Sequence, residues 1–198
     1  MLEAIKSAIV KLQGFSLSQE QSDNIAIIYD AILKHGIKRK RHISYIMATI
    51  FHEAARLDDI AGKKQYRRIV CVEEIGKGNG KPYGEKIKYN KKPYRSPDKI
   101  YYGRGFVQIT WYEVYELFGK VLNIDLLGNP ELALDPYIAA EIAVIGMKKG
   151  YFTGVNLERY FNDTSTDYIN ARRIINNLDK AHIIGGYYNI ILRSITNI

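Results

Sequence analysis

Residues 41–57 read RHISYIMATIFHEAARL, and this stretch decides the fold class. Its apolar residues recur at helical spacing, at Ile43, Ile46, Met47, Ile50 and Leu57. This spacing predicts a helix with one face turned toward a core. The next position on that face after Ile46 and Ile50 is Glu53. The pattern therefore places a carboxylic acid where a core side chain is expected.

Two interpretations of Glu53 are open at this level. Apolar surroundings disfavour the charged form of a glutamic acid, which then keeps a proton to donate near neutral pH. Alternatively, Glu53 lies just off the apolar stripe and pairs with an arginine, either Arg56 or one further along the chain. A zinc site is not predicted, because the metalloprotease motif needs a second histidine where this chain has Arg56.

The composition is typical of one soluble globular domain. The chain has 198 residues, of which 46% are hydrophobic and 25% charged, and this length supports a core without metal ions or disulfides. We therefore predict a single domain over residues 1–198, which includes helices within 1–36, and no cofactor or metal. Cys71 is the only cysteine, so no intramolecular disulfide is possible.

Periodicity and capping residues predict a mainly α fold with a small β excursion. The predicted helices lie near 2–12, 25–36, 41–57, 110–121, 135–150, 167–178 and 179–195. Clusters of β-branched and aromatic residues predict short strands near 66–72 and 86–89. A segment rich in Lys, Gly and Tyr, 76–105, separates two helical parts. We expect a binding cleft at this segment, because loops on a rigid scaffold often carry function.

Six motifs occur in an order that resembles one known family. They are IFHE at 50–53, VEEIGKGNGKPYG at 72–84, YYGRGFVQITW at 101–111, NIDLLGNPELALDP at 123–136, GYFTG at 150–154 and NARRIIN at 170–176. Within residues 42–190 the chain resembles glycoside hydrolase family 19, which includes class I chitinases and phage endolysins. The resemblance implies a lysozyme-like, two-lobed helical fold with a central substrate cleft. It also implies cleavage of β-1,4 bonds between N-acetylated sugars with inversion.

The resemblance assigns the two catalytic carboxyl groups. The family's histidine–glutamate pair falls on His52 and Glu53, which makes Glu53 the general acid and places His52 at the substrate. The second glutamate, the base, falls on Glu74, with Glu73 as the fallback. Inverting enzymes hold the two carboxyl groups about 6.5 to 9.5 Å apart to leave room for a water molecule. Without the motif, a loop glutamate among lysines is usually only solvated.

The same motifs imply a set of polar substrate contacts. Gln108 and Thr110 match the polar pair that positions the attacking water and the substrate amide. Thr110 has a competing role, since Thr110 and Glu113 also have the spacing of a helix capping box. Arg173 and Asn176 resemble late cleft positions of the family and are expected to bind substrate.

Aromatic and arginine side chains complete the predicted site. Tyr102 and Trp111 are expected nearest the cleft, where their rings would stack on sugar faces, although aromatic residues are as often core residues. Arg104 lies between two glycines. We expect its guanidinium to brace a carboxylate at the site.

Two positions depart from the family pattern. Ala54 stands where Ser or Thr usually follows the histidine–glutamate pair, and Val114 stands where many relatives have an asparagine before Tyr115. One hydrogen bond near the acid and one substrate contact are therefore expected to be missing. These departures keep open an alternative, a catalytically impaired descendant that only binds glycans.

Charge favours bacterial peptidoglycan over chitin as the substrate. The formal net charge is +8, and residues 76–99 contain eight Lys or Arg against Glu85 and Asp98. Chitin is neutral, whereas bacterial walls carry carboxylates and often anionic polymers. We therefore expect an endolysin-like muramidase that binds peptidoglycan glycan strands as a monomer, without a separate wall-binding module. A chitinase is the alternative.

The N-terminus predicts where such an enzyme would be made. Glu3 and Lys6 interrupt its one apolar stretch, so we predict no cleaved signal peptide. No stretch has the apolar length needed for stable membrane insertion. We expect synthesis in the cytoplasm and action on the wall after release through a holin or lysis, as for a phage or prophage enzyme.

A nucleic-acid-binding module is the alternative from another class of protein. Basic runs at 38–41 and 63–68, with interleaved tyrosines, can bind phosphates and stack on bases. No RNA or DNA motif accompanies them, and the glycines at 76, 78 and 80 lack the context of a phosphate-binding loop. We therefore expect no nucleic-acid partner.

Overall fold

The computed structural model describes residues 1–84 and 99–197. Its helices are α1 (Leu2–Gln13), α2 (Gln19–Lys34), α3 (Lys40–Glu53), α4 (Tyr112–Leu122), α5 (Pro136–Lys149), α6 (Leu157–Tyr160) and α7 (Ala181–Thr196). Its strands are β1 (Ala55–Ile60), β2 (Lys63–Arg68), β3 (Val72–Glu73) and β4 (Arg104–Gly105). Short 3-10 turns lie at Pro82–Gly84, Pro130–Leu134 and Asn170–Ile174. The predicted mainly helical fold with a small β part is confirmed.

Helix α3 lies at the centre of the core. Residues 42–51 are all buried, so α3 is enclosed on every side, whereas the sequence pattern predicted one buried face. Helix α7 packs along α3, α1 packs on α7, and α2 packs on α5. One apolar cluster runs from Ile5 to Ile195, and the N-terminal helices therefore share the core of the remaining helices.

The predicted third helix ends at Glu53 rather than at Leu57. The chain instead enters an antiparallel hairpin formed by β1 and β2. Positive φ angles at Ala61 (53°) and Gly62 (77°) form its two-residue turn, and such turns match the natural twist of paired strands. The predicted end was wrong because strand pairing overrides a weak local helix preference. As a result, Glu53 lies at the end of a helix and not within one.

Two other predictions were wrong in extent. The strand predicted near 66–72 ends at Arg68, because Ile69 has a φ of 56° that interrupts an extended chain. The helix predicted near 167–178 is only the turn Asn170–Ile174. Its end is followed by Asn176, whose side chain accepts a hydrogen bond from the next backbone N–H and so competes with helix formation. The strand predicted at 86–89 lies outside the described residues.

Helix α5 begins and ends where the sequence predicts. Asp135 Oδ1 accepts hydrogen bonds from the backbone N–H groups of Tyr137 and Ile138 at 2.9 and 3.1 Å. Pro136 fills the first helical position, where its missing N–H costs nothing. Gly150 ends the helix with a φ of 77°, a conformation that glycine adopts without strain. The predicted N-cap and C-cap are both confirmed.

Neither a membrane span nor a metal cluster is present in residues 1–84 and 99–197. No helix in these ranges has the length and apolar character that a membrane crossing requires. No three His, Cys, Asp or Glu side chains converge there as metal ligands do. Burial raises the pKa of Cys71 to about 12, so this thiol is unreactive at neutral pH.

Candidate active site

Glu53 is held by a buried arginine at the end of α3. Its Oε1 accepts a hydrogen bond from Arg172 Nη1 at 2.5 Å, and the Arg172 side chain is only 4% exposed. The Nε of Arg172 donates to the backbone oxygen of Asp179 at 3.0 Å, which fixes the guanidinium. The Glu53 side chain is 20% exposed. Of the two interpretations of Glu53, the structure shows pairing with an arginine, because α3 ends before this carboxylate enters the core.

His52 lies next to Glu53 with a half-buried ring. Burial lowers the pKa of His52, nearby Arg172 and Arg68 lower it further, and Glu53 opposes the shift. The imidazole is therefore neutral near pH 7. Within the described part of the chain, its buried Nδ1 has no hydrogen-bond partner. The predicted role of His52 beside the substrate stays a prediction.

Glu74 follows β3 and is oriented by two donors. Tyr83 Oη donates to Glu74 Oε1 at 2.9 Å, and the backbone N–H of Gly103 donates to Oε2 at 3.1 Å. The backbone N–H of Glu74 donates to the oxygen of Gly103 at 2.7 Å, which extends the pairing of β3 with β4. Burial and the bond to Glu74 raise the pKa of Tyr83, so its hydroxyl keeps the proton that it donates. The carboxylate thus has a fixed orientation.

The loop that carries Tyr83 closes through two glycines. Gly78 is buried with a φ of 73°, and a Cβ on Gly84 would lie 1.7 Å from the backbone oxygen of Gly78. Real Cβ atoms do not approach backbone this closely. Only glycine at position 84 permits this crossing of the chain, which holds Tyr83 over Glu74.

The side chain of Glu73 contacts Tyr102 and Lys77, and not the residues that orient Glu74. Its Oε2 accepts from Tyr102 Oη at 3.0 Å, and its Oε1 lies 3.3 Å from Lys77 Nζ. Partial burial raises the pKa of Glu73, but the bonds from Tyr102 and Lys77 outweigh it and the pKa is lowered. Glu73 is therefore an exposed, charged neighbour of the site, in contrast to the half-buried Glu74.

Gln108 lies across Gly103 from Glu74. Its Nε2 donates to the backbone oxygens of Val72 at 2.8 Å and Gly105 at 3.0 Å. A Cβ on Gly103 would lie 2.8 Å from Gln108 Oε1 and 3.3 Å from Glu74 Oε2. The amide oxygen and the carboxylate therefore both lie close to Gly103, and the predicted role of Gln108 in positioning water stays a prediction.

We expect the substitution Gly103→Ala to lower the hydrolytic rate while the protein stays folded. The added methyl group would push the Gln108 amide away from Glu74, and misplacement of catalytic groups by about 1 Å can cost roughly 100-fold in rate. Gly186→Ala is the matched control, because a Cβ there meets nothing within 4 Å. Circular dichroism and initial rates of both variants test this prediction. Equal rates for the two variants would contradict it.

Trp111 is an exposed aromatic residue at the start of α4. Its side chain is 42% exposed, and its ring meets Tyr83 edge-on at 5.5 Å between centroids. Trp111 has a φ of 72° and is the residue before α4, which has no side-chain cap. The capping box predicted for Thr110 and Glu113 was therefore wrong, because the chain turns at Trp111. The Thr110 side chain is thus not committed to the helix.

Tyr102 and Arg104 are buried together, and the predicted stacking of the Tyr102 ring on a sugar stays a prediction. Arg104 is 2% exposed, and its guanidinium lies 3.6 Å from the centroid of the Tyr102 ring. Arg104 Nη1 donates to the oxygen of Ile100 and to Tyr115 Oη, both at 3.0 Å. It does brace a carboxylate, since Nη2 donates to Glu131 at 3.4 Å. Because the ring face and the guanidinium cover each other, both residues support the site from within.

The arginine that contacts Glu53 is not the one that the sequence singled out. Arg173 and Asn176, predicted to bind substrate, are both exposed, while Arg172 points inward to Glu53. The motif NARRIIN contains both arginines, and no sequence signal separates them. Only the direction of the turn Asn170–Ile174 decides which one meets the acid.

Ala54 and Val114, the two positions that depart from the family pattern, both pack against the core. Ala54 is fully buried at the end of α3, and its backbone oxygen accepts from the N–H of Ile69 at 2.7 Å. Val114 is partly buried and packs against the core. Neither side chain has a polar atom, so the expected loss of one hydrogen bond and one substrate contact stays a prediction.

Glu53 and Glu74 are thus two oriented carboxylates on separate elements of a mainly helical fold, and glycoside hydrolases use a pair of carboxyl groups for catalysis. The family model described as class I chitinase, glycoside hydrolase family 19, matches residues 31–149. The chain belongs to this family. The predicted resemblance is confirmed.

Curated relatives and solved structures agree with this assignment. Endochitinase 1 of Theobroma cacao is 45% identical over 49 residues, which are 24% of this chain and 15% of that protein. Chitinase 3 of Oryza sativa subsp. japonica is 34% identical over 95 residues, which are 47% of this chain and 28% of that protein. The chain thus matches less than a third of the length of either relative. A crystal structure of a bacterial family 19 chitinase has a TM-score of 0.56 at 16% identity and covers 96% of this chain and 93% of its own.

Proposed function

We propose that this protein is an inverting glycoside hydrolase in which Glu53 is the general acid and Glu74 the general base. The observation that carries this proposal is the separate orientation of the two carboxylates, Glu53 by Arg172 and Glu74 by Tyr83 and Gly103. In an inverting reaction, one carboxylic acid protonates the leaving oxygen while the other activates a water molecule on the opposite face of the sugar.

The contacts of each carboxylate suit these different roles. Arg172 binds Oε1 of Glu53, so it would stabilise the carboxylate that forms when the acid has given its proton to the glycosidic oxygen. Glu74 would take a proton from the attacking water, with Gln108 beside it to orient that water or the acetamido group. Glu73 is less suited to this role because Tyr102 and Lys77 already bind its oxygens.

We propose bacterial peptidoglycan as the substrate, which would make the protein a muramidase. The support is its charge of +8, since peptidoglycan carries carboxylates and chitin carries no charge. Chitin is the second candidate, and it is favoured by the names of the relatives in cacao and rice. The release of the enzyme to the wall through a membrane pore stays a prediction.

The products of cleavage distinguish these substrates. We expect purified protein to release fragments from peptidoglycan with N-acetylmuramic acid at the new reducing end, detected by mass spectrometry. Proton NMR of the first products should show the α anomer, because inversion of a β bond gives α. Chitobiose from chitin, with no wall fragments, would instead establish a chitinase.

The Glu74→Gln variant is the control for the assignment of the base. We expect it to form the α product at a rate roughly 100- to 10,000-fold lower, the usual contribution of general base catalysis. Glu73→Gln should keep most of the activity. The reverse order of the two variants would move the base to Glu73. Binding without products in the parent protein would favour an impaired descendant.

A further inference from the structure

A polar pocket lies where α6 meets the turn Asn170–Ile174, which also carries Arg172. It has a volume of about 480 Å³ and is lined by Arg159, Tyr160, Ser165, Asp167, Asn170 and Arg173. Two of these, Asn170 and Arg173, belong to the same 3-10 turn as Arg172. This pocket, called the arginine pocket below, is therefore one residue along the chain from the partner of the acid.

Tyr45 links the helix that ends at Glu53 to the arginine pocket, because its ring packs against Phe161, the residue after Tyr160, at 5.1 Å between ring centroids. Burial raises the pKa of Tyr45, the charge of Arg172 opposes this rise, and Tyr160 and Glu53 both add to it. Tyr160 lines the pocket and Glu53 is the candidate acid, and both act on the same hydroxyl. The pocket and the helix that carries the acid are thus neighbours in space.

The walls of the arginine pocket are held in place before any ligand binds. The backbone N–H of Asp167 donates to the oxygen of Tyr160 at 2.9 Å, and that of Asn162 donates to Ser165 at 3.1 Å. On the other side, Thr153 Oγ1 donates to the backbone oxygen of Arg173 at 2.6 Å. A preformed pocket loses little conformational entropy when it binds a ligand.

Asp167, the one acidic residue that lines the pocket, already accepts hydrogen bonds within the protein. Asp167 accepts hydrogen bonds from both the backbone N–H and the side-chain amide of Asn170, at 3.0 and 2.8 Å. Within residues 1–84 and 99–197, the guanidinium groups of Arg159 and Arg173 form no hydrogen bond or ion pair, and both side chains are exposed. The nearby Arg39, in contrast, pairs with Asp163 at 2.9 Å. The pocket therefore has two free cations and one internally bonded anion.

We propose that the arginine pocket binds an anionic group of the wall polymer, a carboxylate or a phosphate, while the sugar chain occupies the neighbouring cleft. The proposal rests on the proposed function and names the part of the substrate that this site would recognise. Guanidinium groups match planar carboxylates and phosphates with paired hydrogen bonds. Tyr160, Ser165 and Asn170 add neutral polar groups to the same walls. A neutral chitin chain has no charged group to pair with the two arginines.

Kinetics with an Arg159→Gln, Arg173→Gln double variant test the proposal. We expect the ratio of KM on peptidoglycan to KM on a neutral N-acetylglucosamine oligomer to rise about tenfold, as for the loss of two charge-assisted hydrogen bonds to a solvated anion. The matched control is Arg193→Gln, which removes an exposed charge from α7. A ratio equal to that of the parent, or an equal change in the control, would overturn the proposal.

Two wall preparations identify the source of the anion. Peptidoglycan freed of phosphate-containing polymers offers only carboxylates, and the untreated wall offers both. A raised ratio on both preparations identifies the carboxylate of the peptide stem. A raised ratio on the untreated wall alone identifies the phosphate.

A binding experiment separates this proposal from the proposed function. Calorimetric titration of the Glu53→Gln protein with N-acetylmuramyl dipeptide, and with the same molecule amidated at its carboxylates, requires no hydrolysis. We expect tighter binding of the charged form and loss of that preference in the double arginine variant. Equal affinity for both forms would reject the carboxylate as the ligand, and together with an unraised KM ratio on the untreated wall it would overturn the anion site, even if the parent protein hydrolyses walls. A charge preference without wall hydrolysis would keep the site and reject only the proposed reaction.

Discussion

Replacement of Glu53 by glutamine is expected to abolish hydrolysis and to preserve the fold. An amide has no proton of suitable acidity for the leaving oxygen, and loss of a general acid costs roughly 100- to 10,000-fold in rate. The amide oxygen of glutamine can still accept the hydrogen bond from Arg172, which is 4% exposed and would otherwise lose its partner. The structure at the end of α3 should therefore remain.

Clearing of a peptidoglycan suspension and release of reducing ends measure this loss. The matched control is Glu116→Gln, because Glu116 is a glutamate of α4 that pairs with Lys120 at 3.0 Å and plays no role in the site. Circular dichroism and urea unfolding report on the fold of both variants. Parent-level activity in the Glu53→Gln protein would reject the assignment of the acid.

The substitution Arg104→Met is expected to lower the free energy of unfolding by about 2 to 4 kcal/mol, since each buried polar group left without its partner costs about 1 to 3 kcal/mol. Methionine fills part of the volume but donates no hydrogen bond. The backbone oxygen of Ile100 and the hydroxyl of Tyr115 would lose their donor. The Tyr102 ring would lose the cation at 3.6 Å.

Urea unfolding of this variant measures the change. Arg193→Met, at an exposed position of α7, is the control and should change the free energy of unfolding by about 0.5 kcal/mol or less. If Arg104 instead contacted substrate, the variant would raise KM and unfold like the parent. That result would contradict the burial of Arg104.

Sequence reasoning predicted those parts of the fold that depend on neighbouring residues. The ends of α5 follow from Asp135 and Gly150, whose effects on the backbone reach only a few residues. The helix that carries Glu53 follows from apolar spacing within one segment. Glu53 and Glu74 were predicted as the catalytic pair from short sequence motifs, which require no knowledge of distant contacts.

Features that depend on distant contacts could not be predicted in this way. Leu57 pairs with Tyr66 in the hairpin, and this pairing overrides the helical spacing that Leu57 continues. The sequence does not distinguish Arg172 from Arg173 as the partner of Glu53. Only the fold of the turn places Arg172 against Glu53. Thr110 has the spacing of a cap, but the backbone turns at Trp111 because Trp111 bonds to Tyr101 at 2.9 Å.

Glu53 and Glu74 differ in how far along the sequence their side-chain hydrogen-bond donors lie. Tyr83, a donor to Glu74, is nine residues away along the sequence, whereas Arg172 is 119 residues from Glu53. The loop closed by Gly78 and Gly84 can therefore form early and locally, but the acid is complete only when α3 and the C-terminal part of the chain have met. A local opening that moves the turn Asn170–Ile174 away from α3 would therefore separate Arg172 from Glu53 and leave the bond from Tyr83 to Glu74 in place.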